Sequence, residues 1–127
     1  MNADKKNINE LTETVIGAVI EVSNTLGAGF LEKVYERALL RELSIRGAKA
    51  AAQPKFSVLY KGRNVGDYCP DLIVEDELLV ELKCVEHLCQ EHMAQCLNYL
   101  RASNRHLCLL VNFHRAKVEW KRVALNL

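Results

Sequence analysis

Three ionised residues interrupt two strongly apolar runs: Asp71, Glu81 and Lys83, in the stretch PDLIVEDELLVELK from Pro70 to Lys83. If the VEDEL turn pairs Val74 with Leu78, then Ile73 faces Leu79 and Asp71 lies opposite Glu81. Lys83 falls on the same face, because side chains alternate along a strand. A two-residue turn would shift this register by one position and undo the juxtaposition. Opposed carboxylates repel and are expensive to desolvate, so the pair needs a cation, a shared proton or open water. Magnesium, with manganese as its substitute, takes oxygen ligands and keeps several waters. Two carboxylates and a backbone carbonyl would leave room beside it for a phosphate and a nucleophilic water. Lys83 could then hold that water or neutralise developing phosphate charge. The bland alternative is that Asp71 caps a strand end while Glu81 and Lys83 form a surface ion pair worth little to stability.

The elements that must position these groups are legible from periodicity. Ile8, Leu11, Val15, Val19, Val22 and Leu26 recur at three- and four-residue steps, which predicts an amphipathic helix. LGAG, Leu26 to Gly29, breaks it, and FLEKVYERALLRELSIRG resumes helical spacing until Gly47 supplies a stop. After AAAQP the runs KFSVLYKG, NVGDYCPDLIVED and ELLVELKC predict three antiparallel strands. QEHMAQCLNYLRAS returns to helical spacing, and HLCLLVNF and KVEWKRV read as two closing strands.

The bulk properties bound the function. A chain of 127 residues, half of them hydrophobic and with only two prolines, suits a single globular domain over residues 1–127. No run approaches the roughly 18 apolar residues of a membrane span, and nothing apolar follows the N-terminal lysines, so a soluble, cytoplasmic protein without a membrane partner is expected. Five cysteines, an odd number, fit reduced thiols better than a disulfide framework. The formal net charge of +1 removes one class, the free-standing nucleic-acid binder that works through an overall basic excess. Any nucleic-acid reading must rest on a local patch or on a partner, not on the overall charge.

Pro70-Asp71 followed by Glu81-Leu82-Lys83 resembles the PD-(D/E)XK nuclease superfamily. GAGFLEKVYERAL, with Gly29, Glu32 and Tyr35, is similar in particular to the small GxxExxY proteins, and the likeness runs from about Ile8 to the C-terminus. The resemblance implies an α/β (α+β) restriction-endonuclease-like core, a mixed central β-sheet flanked by helices. It implies magnesium held by the residues matching Asp71 and Glu81, and a water-assisting role for the residue matching Lys83. Glu32 is the candidate for the further acidic ligand that many members take from the first core helix. RecB-like members add a Gln-x-x-x-Tyr pair, which Gln95 and Tyr99 match in QCLNY. Four residues apart, these two share a helical face, as contact with one substrate or one water requires. Glu32 has a plainer reading too, since a glutamate in the first turn of a helix is favoured by the helix dipole.

The expected function is magnesium-dependent phosphodiester hydrolysis with nucleic acid, DNA first, as partner, and with room for a homodimer or a larger nuclease assembly. The alternative is a nuclease-like fold that serves as a nucleic-acid-binding or protein-assembly module. A third possibility, zinc bound by Cys84, His87, Cys89, His92 and Cys96, is disfavoured because no paired Cys-x-x-Cys is present to close a four-ligand cage.

Overall fold

The computed structural model describes the backbone of residues 2–127 and the side chains of residues 7–127. The apolar face anticipated from Ile8 onward belongs to helix α1 (Asn2–Leu26), which buries Ile8, Val15, Val19 and Val22. Helix α2 (Glu32–Ile45) ends at Gly47 for a physical reason. Gly47 takes φ 80°, and the N–H groups of Gly47 and Ala48 then return to the carbonyls of Ser44 and Leu43 at 3.0 and 2.9 Å. This satisfies carbonyls that the last turn would otherwise leave open.

The main sheet contains β1 (Ala50–Ala52), β4 (Leu72–Val74), β5 (Leu78–Lys83), β6 (Leu107–Asn112) and β7 (Glu119–Ala124), in the order β1-β4-β5-β6-β7. β5 and β6 run parallel, joined across one face by α3 (Gln90–Ser103), and the other pairings are antiparallel. The result is the mixed sheet flanked by helices that the motif implied. β4 and β5 adopt the anticipated register, with Val74 opposite Leu78, Ile73 opposite Leu79 and Leu72 opposite Val80.

Two expectations about strands need correction. NVGDYCPDLIVED is two strands, not one. Its first part is β3 (Arg63–Tyr68), which pairs only with β2 (Phe56–Tyr60) in a separate hairpin, and its second part is β4. The break falls at Cys69-Pro70-Asp71, where proline has no N–H to give to a ladder. The neighbour of β4 is β1, in alanines to which the pattern assigned no strand; alanine has little strand propensity, and pairing with β4 overrides that.

Alternation divides the core. Leu72, Val74, Leu78, Val80 and Leu82 face α1 and α2, whereas Ile73, Leu79, Cys108 and Leu110 face α3 with Cys96, Tyr99 and Leu100. Glu81 and Lys83 share the parity of Leu79 and therefore project toward α3.

Candidate active site

Beyond Leu72 and Val80, the last paired residues of the β4–β5 ladder, carboxylates take over from main-chain carbonyls. The N–H of Asp71 donates to Glu81 Oε1 at 3.2 Å, and the N–H of Leu82 donates to Asp71 Oδ2 at 2.7 Å. The carbonyl of Asp71 accepts from the N–H of Gln53 at 2.8 Å, which ties the Pro70-Asp71 turn to the end of β1. The two carboxylates are thus held opposite each other by reciprocal hydrogen bonds.

On the α3 side a closed circuit forms. Lys83 Nζ donates to Gln95 Oε1 at 2.9 Å, Gln95 Nε2 donates to Tyr99 Oη at 2.9 Å, and Tyr99 donates to Glu81 Oε2 at 3.4 Å. Lys83 Nζ closes the ring at 3.4 Å from the same Glu81 oxygen. Gln95 and Tyr99, one helical turn apart, therefore meet the strand pair as their spacing allowed.

Only 5% of Glu81 is exposed, and burial together with the Asp71 charge pushes its carboxyl pKa up to about 7, Lys83 offsetting part of the effect. Burial, then the charges of Glu81 and Asp71, drives the Tyr99 phenol well above its ordinary range, so Tyr99 remains a neutral donor. Lys83 relieves only part of the repulsion between Glu81 and Asp71.

Helix α2 contributes the opposite wall. A cleft of about 100 Å³ is lined by Glu32, Lys33, Glu36, Asp71 and Leu82. Glu32, exposed in the first turn, lines the cleft but joins none of the hydrogen bonds above. Glu36, one turn deeper and only 4% exposed, accepts from Gln53 Nε2 at 2.7 Å and from Lys33 Nζ at 2.6 Å. Sequence reasoning overlooked Glu36. Its signal was the four-residue step from Glu32, which sets both on one helix face with Glu36 nearer the core.

Tyr35, the motif tyrosine, is fully buried and stacks on Phe113 with ring centroids 4.5 Å apart. Its hydroxyl donates to Gly27 O at 2.6 Å and accepts from Phe30 N–H at 3.2 Å, so it fixes the Gly27–Leu31 loop in front of α2. Tyr35→Phe should cost about 1–2 kcal/mol in a urea titration and accelerate amide exchange at Phe30, because that N–H loses its acceptor.

The cysteine and histidine run has other roles in this fold. Cys89 precedes α3 and its N–H donates to His92 Nδ1 at 3.1 Å, as a helix N-terminal cap. Cys96 is buried with Cys108 beneath the helix, away from solvent and from a surface ion. Among the described residues, no three His, Cys, Asp or Glu side chains converge closely enough to enclose an ion. What the donor set offers a metal is the pair Asp71 and Glu81. These are hard oxygen ligands whose mutual repulsion a cation would relieve, and magnesium, which keeps its own waters, can be held by as few.

The fold and this strand-end constellation define a restriction-endonuclease-like protein. The chain belongs to the PD-(D/E)XK nuclease superfamily, whose family model matches residues 9–123. A solved structure titled "Crystal structure of SSO0001" is similar with a TM-score of 0.59 and 14% identity, over 75% of this chain and 50% of that one. The chain thus spans about half the length of that protein, and at this identity the likeness concerns the fold alone. No curated protein matches.

Proposed function

We propose that the chain is a GxxExxY-type nuclease that hydrolyses phosphodiester bonds in DNA with a divalent cation, magnesium or manganese. The observation that carries this reading is the closed circuit of Glu81, Lys83, Gln95 and Tyr99 with Asp71 beside it, in which Glu81 is made costly to ionise. Asp71 and Glu81 would hold the ion, with Glu32 at the cleft rim as a further oxygen donor. The ion supplies charge neutralisation at the phosphate and a more acidic water.

The chain's own residues do the rest. Lys83, positioned by Gln95, presents an ammonium where the attacking water and the phosphate oxygens gather. Tyr99 orients Gln95 and holds Glu81 in place through its neutral hydroxyl. Cleavage of labelled single- and double-stranded DNA and of RNA, in magnesium, in manganese and in chelator, tests the reading. Cleavage of DNA that chelator abolishes and Asp71→Asn removes is expected; absence of metal-dependent cleavage from any substrate overturns it.

One observation favours the assembly-module alternative. Leu82 N–H and Lys83 already engage Asp71 and Glu81, so protein groups supply part of what a metal would. In that case calorimetric titration with manganese gives no heat of binding, and Gln95→Ala unfolds the protein as badly as Leu100→Ala. Leu100 is fully buried, and its truncation should cost about 2–5 kcal/mol. Under the nuclease reading Gln95→Ala melts near wild type and loses activity.

A further inference from the structure

Next to the cleft, and sharing Glu32 and Lys33 with it, lies an open groove of about 860 Å³ walled by Phe30, Leu31, Cys84, Phe113 and His114. Phe30 is 49% and Leu31 80% exposed, and apolar side chains side by side in water forgo the gain that burial brings. They are not there through slackness. Tyr35 pins the loop from below through Gly27 and Phe30, its ring meets Phe30 edge-on at 6.2 Å, and Cys84 Sγ donates to Phe30 O at 3.9 Å. The motif residue Tyr35 therefore holds an aromatic ring at the surface in a set orientation.

The charged groups at the groove are Glu32 and Lys33 in its lining and Arg115 beyond His114. His114 lines the groove, Arg115 follows it, and Arg115 Nη2 lies 3.4 Å from Nδ1 of the exposed His87. Through Glu32 and Lys33, which line both, the groove adjoins the cleft that Asp71 enters.

We propose that this groove binds an unpaired nucleotide beside the scissile phosphate, its base stacked on Phe30 and its backbone passing His114 and Arg115. This rests on the nuclease reading and narrows it: the substrate is single-stranded or frayed at the cleaved position. A preset ring costs little entropy on stacking and accepts any base, and Lys33 and Arg115 offer the phosphate a local positive charge that the overall net charge of +1 does not. A base pair inside continuous duplex has no free face to offer.

The test titrates the full chain, in chelator, into a short single-stranded oligodeoxynucleotide carrying a fluorescent purine analogue that stacking quenches. The same sequence as duplex runs in parallel, and cleavage of both in manganese is measured separately. Phe30→Leu should bind the single strand roughly ten- to a hundred-fold more weakly and lose the quenching, Phe30→Trp should keep both, and duplex binding should not change. Arg115→Ala should lower the salt dependence of single-strand binding by about 0.7 in the log–log slope.

Phe30→Leu binding and quenching like wild type, while manganese-dependent cleavage persists, overturns the groove assignment and leaves the nuclease reading standing. A wild type that cleaves duplex and binds no single strand does the same. Absence of both binding and cleavage overturns the two together. If Phe30→Leu alters self-association in sedimentation but not DNA binding, a second copy of the chain covers the face and the proposal falls. Should Phe30→Leu be poorly folded, Phe30→Trp decides, since weaker binding by the larger ring contradicts stacking.

Discussion

Lys83→Ala should lower metal-dependent DNA cleavage by roughly two to four orders of magnitude, the range associated with loss of a positioned proton-transfer or charge-stabilising group. Lys83 is partly buried, with 18% of its side chain exposed, and it is oriented by Gln95 rather than left to solvent. A preset ammonium of this kind acts on charge as it develops and needs no reorganisation at that moment. The fold should survive within about 1 kcal/mol, because Lys83 sits at the strand end and Glu81 can take up a proton when its cation is removed. Lys83→Arg should recover little, since a planar guanidinium does not reproduce a compact ammonium hydrogen-bonded to Gln95. Single-turnover cleavage beside thermal melting checks both halves. Cleavage at the wild-type rate by Lys83→Ala removes the residue from the mechanism, and loss of the folded state makes it structural.

The second large effect is on stability. Glu81 has its carboxyl raised to about 7 in the folded chain from an ordinary value of 4.5, by burial and by Asp71. Between those two values the folded state binds more proton than the unfolded state, so stability falls as pH rises through the window and levels off above about 7. The loss is on the order of 3 kcal/mol, and urea titrations of metal-free protein from acid to mildly alkaline pH should show it. Glu81→Gln should flatten that slope and be the more stable protein at pH 8, since the amide oxygen can still accept from Asp71 N–H. A wild-type slope that persists in Glu81→Gln assigns the titration to another group.

Added manganese should restore wild-type stability at pH 8, by about 2.7 kcal/mol at a hundred-fold excess over the dissociation constant. Asp71→Asn and Glu81→Gln should lose that gain. Equal responses from all three proteins would place the metal elsewhere. The sign is the informative part: a carboxylate pair kept for stability would strengthen the fold on ionising, whereas this one should weaken it.

Much of this site was legible because its positions obey local periodicities. Alternation along β5 sets Glu81 and Lys83 on one face in any fold that makes Lys83 a strand residue, and the VEDEL turn brings Asp71 opposite through local pairing alone. The four-residue step from Gln95 to Tyr99 sets them on one helix face for the same reason.

What only the tertiary structure decided are the relations between elements far apart in sequence. That the Gln95–Tyr99 face meets the Glu81–Lys83 face follows from α3 crossing between the parallel strands β5 and β6, a pairing no short run of residues encodes. That alanines 50–52 form the edge strand follows from their partner β4, against their own propensity. That Glu36 rather than Glu32 is the buried carboxylate facing Asp71 depends on how deeply α2 sits on the sheet, and periodicity within one helix does not set that depth. Local pattern assigns a side chain to a face, and long-range packing determines what that face meets.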